Sequence, residues 1–338
     1  MSKDLKIEIN PPRFNDEFFG FNKIEDFFLN VLKEKKILNS YIFYGLEGLG
    51  KSTFAYRLSR YILNNDHDIE NKKNLYISKN TNIFKSISSL THPDLKVIEA
   101  DLEKKTINKE MLNDLSNFVY STSSNSFYKI IIIDSLDNFS NRNVYSSLLK
   151  LIEDCPKNCI FFLISSSLSN IPDTIKSRCQ KIYFKPLNEE IMEKWFGNNK
   201  LLDKDNLPIL IKLSGGSLGK ALKIINNKNY FKIYNQTEKI LLDINKISSD
   251  EINNLLLLYD KEIGLNDFVM IIQTIILNII KSLLLNSNTI NINNFYIPLF
   301  FELNKNLNNY KIYNLDNLQT LNLIKYIFIK YSKNLKNN

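Results

Sequence analysis

The run Gly45-Leu46-Glu47-Gly48-Leu49-Gly50-Lys51-Ser52 sets three glycines, a lysine and a hydroxyl at the Gly-x4-Gly-Lys-Ser/Thr spacing. Glycines let the backbone turn so that successive N–H groups face one anion, and a helix beginning at the lysine adds its partial positive charge. In that arrangement Lys51 reaches the β- and γ-phosphates of ATP. Ser52, with Thr53 beside it, offers a hydroxyl to Mg2+. The chemistry also needs an acidic residue at the end of a neighbouring strand to hold the magnesium, and Ile130 to Ile133 followed by Asp134 supplies one. Where hydrolysing P-loop proteins with an Asp-Glu pair carry the glutamate that polarises the attacking water, this chain has Ser135, which is no general base at neutral pH. Asp137 is expected to cap the turn that follows.

These residues need a strand before the glycines and a helix after the lysine. Tyr41 to Tyr44 gives the strand, and Phe54, Ala55, Leu58, Tyr61 and Ile62 give the apolar face of the helix. Further strands are expected at Leu95 to Ile98, Lys129 to Ile133, Ile160 to Ile164 and Lys181 to Phe184. The unbroken apolar run Ile130 to Ile133 suits a strand buried on both faces of a parallel sheet. Val144, Leu148, Leu151 and Ile152 recur at helical spacing, with Ser140 or Asn141 placed to cap that helix.

After Pro186 the strand signals fade and helical patterns take over, at Glu189 to Phe196, Leu207 to Leu213 and Asp250 to Tyr259. Ser214-Gly215-Gly216-Ser217 ends one helix and starts another, with Leu218, Leu222 and Ile225 as its apolar stripe. The expected organisation is an α/β nucleotide-binding domain over 1–186, a small helical domain over 187–232 and an all-helical domain over 233–338.

With 338 residues, 44% hydrophobic and 24% charged, the chain has the composition of a soluble multidomain protein. Its net charge of +8 permits attraction to nucleic acid, but the lysines are spread along the whole chain rather than gathered in a patch. Cys155, Cys159 and Cys179 form neither a disulfide framework nor a four-ligand zinc site, which fits a reducing cytoplasm. Met1 to Asn10 lacks the apolar core of a signal peptide. Phe268 to Ile280 falls short of the roughly 20 residues of a membrane span and reads as a buried helix. No membrane partner is expected.

Ile132-Ile133-Asp134-Ser135-Leu136-Asp137, the run Ser147 to Pro156, Phe161 to Ser165 and Ser177-Arg178-Cys179 together resemble the clamp-loader AAA+ proteins, most of all the delta-prime subunits of bacterial DNA polymerase III. Pro11-Pro12-Arg13, Phe19-Gly20, His92-Pro93-Asp94 and Gly216 to Leu222 extend the likeness across 11–225. The resemblance implies an AAA+ nucleotide-binding domain, a helical lid and a C-terminal collar domain that holds a ring of subunits together. It assigns Arg178 to the γ-phosphate held by a neighbouring subunit, a role that suits a guanidinium, which is always charged and binds two oxygens at once. It places Ser165 at the position that senses the γ-phosphate and Phe19-Gly20 at the segment covering the adenine.

Two departures from the family stand out. Gly219 replaces the arginine of the second sensor, with Lys220 beside it, and residues 62–94 hold none of the cysteines of the zinc module found in many relatives. The implied partners are motor subunits, the delta subunit, the sliding clamp and primed DNA. Ser135 and Gly219 favour a subunit that binds ATP with weak or no hydrolysis. The alternatives are a motor ATPase of the same class or another DNA-processing P-loop ATPase. The latter would carry a DNA-reading domain, for which the C-terminal third shows no motif.

Overall fold

The computed structural model describes residues 7, 9–64, 74–99, 107, 109–139, 142–199, 206–227, 229–242, 263–285, 296–313, 319, 322–327 and 329–330. The expected caps Ser140 and Asn141 and the expected helix Asp250 to Tyr259 lie outside them. Two compact units are present. The first comprises 1–195 with 215–222, and the second comprises 196–214 with 223–338.

The first unit is built on five parallel strands, β1 (Ser40–Tyr44), β2 (Leu95–Ile98), β3 (Lys129–Ile133), β4 (Cys159–Ser165) and β5 (Gln180–Tyr183), in the order β2-β3-β4-β1-β5. Each expected strand is present, with ends shifted by at most one residue. Every residue of β3 and β4 is buried, as their apolar runs require of central strands covered on both faces. One such face packs Ile131, Ile133, Phe161 and Leu163 against Leu112 and Leu115 of α4 (Lys109–Tyr120) and Val144 and Leu148 of α5 (Arg142–Asp154). Truncating one of these isoleucines to alanine would cost about 2–5 kcal/mol.

On the other face, Phe43, Phe54, Phe162 and Phe184 form a ring cluster with Phe28 of α1 (Asn22–Lys33), the centroids of neighbouring pairs lying 5.3 to 5.9 Å apart. Phe54 belongs to α2 (Lys51–Leu63), the helix that follows the glycine turn. Two buried arginines of α2 bind the incoming chain. Arg57 donates to Asp16 O at 2.6 Å and pairs with Glu25 at 2.5 Å, while Arg60 donates to Asn15 O at 2.8 Å and to Arg13 O.

Because all five strands run the same way, their carboxyl ends lie on one edge of the sheet and their amino ends on the other. α6 (Asp173–Lys176) leads into β5 from the amino edge.

The second unit is helical among its described residues. It holds α8 (Leu207–Ser214), α10 (Asn229–Leu242) and the helices Leu265–Leu285 and Ile297–Tyr313. Asp267 to Leu284 is long and apolar enough to cross a membrane, with a mean hydropathy of 1.7. Its Phe268, Ile271, Ile272, Ile275, Ile276 and Ile279 are nonetheless buried within the unit. Tyr230 OH donates to Asp267 at 2.5 Å, and Lys330 pairs with Glu302 at 2.8 Å.

Candidate functional site

The glycine turn leaves the carboxyl end of β1 and enters α2 at Lys51. Gly45, Gly48 and Gly50 adopt φ values of 144°, 76° and 83°, which side-chain-bearing residues avoid. The turn wraps around the Lys51 ammonium, which donates to the carbonyls of Gly45 and Leu46 at 2.7 Å each. Burial pushes the Lys51 pKa below the usual lysine value, against the pull of Asp134, Asp137 and Glu47. A buried ammonium satisfied mostly by carbonyls is ready to exchange them for a stronger acceptor such as a phosphate.

The outer side of the turn is covered by the start of α9 (Leu218–Ile225) and the residue before it. Ser217 Oγ donates to Glu47 O at 2.8 Å, and Gly219 N–H donates to Gly48 O at 2.9 Å. This approach is backbone against backbone. A Cβ on Gly219 would stand 2.8 Å from Gly48 Cα, and one on Gly48 would stand 2.5 Å from Ser217 Oγ. Gly219 is therefore more than a missing arginine, since no side chain fits there while the contact holds. Lys220 lies beside it, its N–H donating to Ser217 Oγ at 3.2 Å.

Asp134 follows β3 and accepts a 2.7 Å hydrogen bond from Ser52 Oγ, so the two expected magnesium residues are brought together. Burial raises the Asp134 pKa, the bond from Ser52 opposes that rise, and the charge of Glu99 at the end of β2 adds to it. Ser135 is held in the left-handed region at φ 61°, a strained setting for a residue with a side chain.

Asp137 does not cap the next turn as expected. Its carboxylate accepts from Ser165 Oγ and, at 2.6 Å, from both Ser166 N–H and Ser166 Oγ. Ser165 Oγ also lies 2.6 Å from Ser167 O and accepts from Ser167 N–H at 3.1 Å. The sequence-predicted sensor residue thus sits at the carboxyl edge with Asp134, but its hydroxyl is engaged by its own strand end and by Asp137.

Gly20 adopts φ 88°, and a Cβ there would meet Leu187 at 2.4 Å. The ring beside the phosphate turn is that of Phe18, stacked near Phe21 and Phe54 with an edge 3.4 Å from where a Cβ of Gly50 would lie. Phe19 is its partly exposed neighbour. Thr53 occupies the first turn of α2. Phe18 could have been found only from the spacing between the Phe18-Phe19-Gly20 turn and Phe54, a contact that spans two elements.

Arg178 stands apart from all of these. It lies just before β5, on the amino edge, with its carbonyl accepting from Ser40 Oγ at the start of β1 at 2.8 Å. The five residues of β1 separate it from the phosphate turn, roughly 13 Å at the usual rise per residue. The motif His92-Pro93-Asp94 is on the amino edge too. Asp94 accepts from the backbone N–H of Ser124, Asn125 and Ser126 at 2.7 to 2.8 Å, and His92 Nδ1 accepts from Asp94 N–H at 3.1 Å. The thiols of Cys159 and Cys179 are buried, which pushes each pKa up to about 11.

A glycine turn between a parallel strand and a helix, with Ser52 bonded to an acid at the end of the next strand but one, defines a P-loop domain. Residues 21–188 match the family model described as DNA polymerase III, delta subunit, and the chain is similar to subunits of DNA polymerase III clamp loaders. It is 29% identical to DNA polymerase III subunit gamma of Buchnera aphidicola over 68% of this chain and 61% of that protein. It is 27% identical to subunit gamma/tau of Mycoplasma genitalium over 67% and 37%, and 26% identical to subunit delta' of Bacillus subtilis over 60% and 58%. The chain thus spans less than two thirds of the length of these relatives. A gamma-subunit-related protein from Thermotoga maritima aligns in structure over 90% of this chain and 99% of that one, at 15% identity and a TM-score of 0.45.

Proposed function

We propose that this chain is a clamp-loader subunit of the delta-prime type: it binds ATP with Mg2+ at its own P-loop, hydrolyses it weakly or not at all, and supplies Arg178 to the nucleotide of a neighbouring subunit. The observation that carries this reading is the placement of Arg178 on the sheet edge opposite the glycine turn. From there its guanidinium is out of reach of a nucleotide held by Lys51 but faces outward, half exposed.

The residues fit ATP with magnesium. The turn's N–H groups and Lys51 would take the phosphates, Ser52 and Asp134 would hold the cation, and Phe18 to Gly20 would border the base. Magnesium supplies charge neutralisation on the phosphate oxygens. Ser135 puts a hydroxyl where a water-polarising carboxylate would follow Asp134 in the chain, and loss of such a base typically costs 10²- to 10⁴-fold in rate.

The partners under this reading are the motor subunits and delta, the sliding clamp, and primed DNA inside the assembly, all in the cytoplasm. Residues 187–232 would serve as the lid and 233–338 as the collar.

In a reconstituted loader, Arg178→Ala is expected to cut turnover at the one interface it serves by about 10³-fold, the usual worth of an arginine finger. Unchanged DNA-stimulated phosphate release would sink the proposal. A second reading, a motor subunit, draws on the intact Ser52–Asp134 pair. Steady phosphate release by the isolated chain that Lys51→Ala abolishes would favour it.

A further inference from the structure

We propose that Glu153 is a positioning residue for Arg178, fixing its guanidinium so that the outer end is presented to the neighbouring subunit. This rests on the trans role of Arg178 proposed above. Arg178 is about half exposed, and an exposed arginine ordinarily samples many rotamers, freedom it must lose on being fixed.

Here the residue is tethered at several points. Its N–H donates to Ile175 O at 3.0 Å and its carbonyl accepts from the buried Ser40 hydroxyl at 2.8 Å, which fixes the backbone between the end of α6 and the buried Cys179. Its Nη1 donates to Ser177 Oγ at 3.0 Å. Its Nε lies 3.0 Å from Oε1 of Glu153, in the last turn of α5.

The point of attachment matters. A carboxylate that pairs with both Nη atoms covers the face an arginine uses to grip a phosphate. Glu153 approaches at Nε, the inner edge, and no acceptor lies on Nη2 among the described residues. The pair therefore removes rotamer freedom without masking the fork. Lys36 with Glu34 makes the contrasting case, an exposed ammonium–carboxylate pair at 2.8 Å joined end to end. The segment of α5 that sets Glu153 is anchored in the core through Val144, Leu148, Leu151 and Ile152.

The test uses the reconstituted loader with primed DNA, together with the isolated chain. Glu153→Gln should lower the kcat of DNA-stimulated hydrolysis about two- to fivefold, the scale of an exposed pair, with KM for ATP unchanged. Glu153→Asp should recover part of the loss, and Glu153→Gln should add nothing to Arg178→Ala. In the isolated chain, the ¹⁵N relaxation of the Arg178 Nε–H should report an ordered side chain that Glu153→Gln loosens. An unchanged or raised kcat, an additive loss on top of Arg178→Ala, or an equally ordered Nε–H would overturn the role of Glu153. Those results leave the trans role standing as long as Arg178→Ala itself is inactive. An Arg178→Ala loader with full activity removes the underlying reading instead.

Discussion

The two edges of the sheet solve opposite problems. At the carboxyl edge Lys51 is buried on carbonyls and Asp134 is partly buried beside Ser52, each pushed away from its ordinary ionisation by loss of water. At the amino edge Arg178 is kept in solvent, and what is spent is conformational freedom. A site that grips its own ligand concentrates charge in a low-dielectric pocket and carries the desolvation cost until the ligand arrives. A group that acts on another chain's ligand must stay accessible, so its precision comes from tethers rather than burial. The two edges should accordingly fail independently.

The largest effect expected of the isolated chain restores chemistry to the carboxyl edge. Ser135→Glu puts a carboxylate next to Asp134, and phosphate release by the isolated chain should rise about 10²-fold or more. Serine already bears the strain of the left-handed backbone at this position, so glutamate should change stability by no more than about 0.5 kcal/mol. A variant that binds ATP as before yet releases no more phosphate would show that something other than the missing base silences the site. The Arg178-dependent activity of a loader containing this variant should not change.

The strands and the glycine turn were legible in the chain because each is local. Ile130 to Ile133 is apolar at every position and can only be a central strand, and Gly45 to Ser52 states its spacing outright. Asp137 was misread because its partners Ser165 and Ser166 arrive from the neighbouring strand β4, 28 and 29 residues on, and a turn cap is the nearest local explanation. Gly219 was legible as a departure from a pattern but not as a contact. Its hydrogen bond to Gly48 spans 171 positions and involves only backbone atoms, which leave no mark on the choice of side chains except the absence of one. The amino-edge tether of Arg178 was equally hidden, since Ser40 and Glu153 look like an ordinary strand start and helix end.

The contact between Gly219 and Gly48 can be broken with one methyl group. Gly219→Ala puts a Cβ 2.8 Å from Gly48 Cα, backbone that cannot rotate away. Overpacking of this kind costs about 1–3 kcal/mol. The expected result is a lower unfolding midpoint and faster amide exchange confined to the glycine turn and the start of α9. Full retention of protection at Gly219 N–H would mean that the turn and the helix are held by something else. Exchange along Ile175 to Cys179 should stay as it was, because that segment is tied to Ser40 and not to the turn.

The smallest effect separates the edges by acid. Burial lowers the His92 pKa below 6.5 against the pull of Asp94. The folded state then binds fewer protons than the unfolded chain between the lowered value and 6.5, so stability is present above 6.5 and is lost as pH falls through that window. Asp94 continues the trend lower down. Burial alone would raise its pKa, but the N–H donors of Ser124, Asn125 and Ser126 hold it below 3.8, so its contribution disappears as pH falls from 3.8 through the folded value.

Asp134 has the opposite sign. Its raised pKa makes the folded state bind more protons from 3.8 up to the folded value, so stability falls as pH rises through that window and the cost is fully present above it. Urea unfolding from pH 7.5 down to 5 should therefore show His92→Gln less acid-sensitive than the parent chain, by at most about 1.4 kcal/mol per pH unit. Asp134→Asn should be more stable than the parent at pH 7.5 while losing magnesium-dependent nucleotide binding. Parallel pH profiles for the two variants would show that His92 and Asp134 do not act on stability with opposite sign.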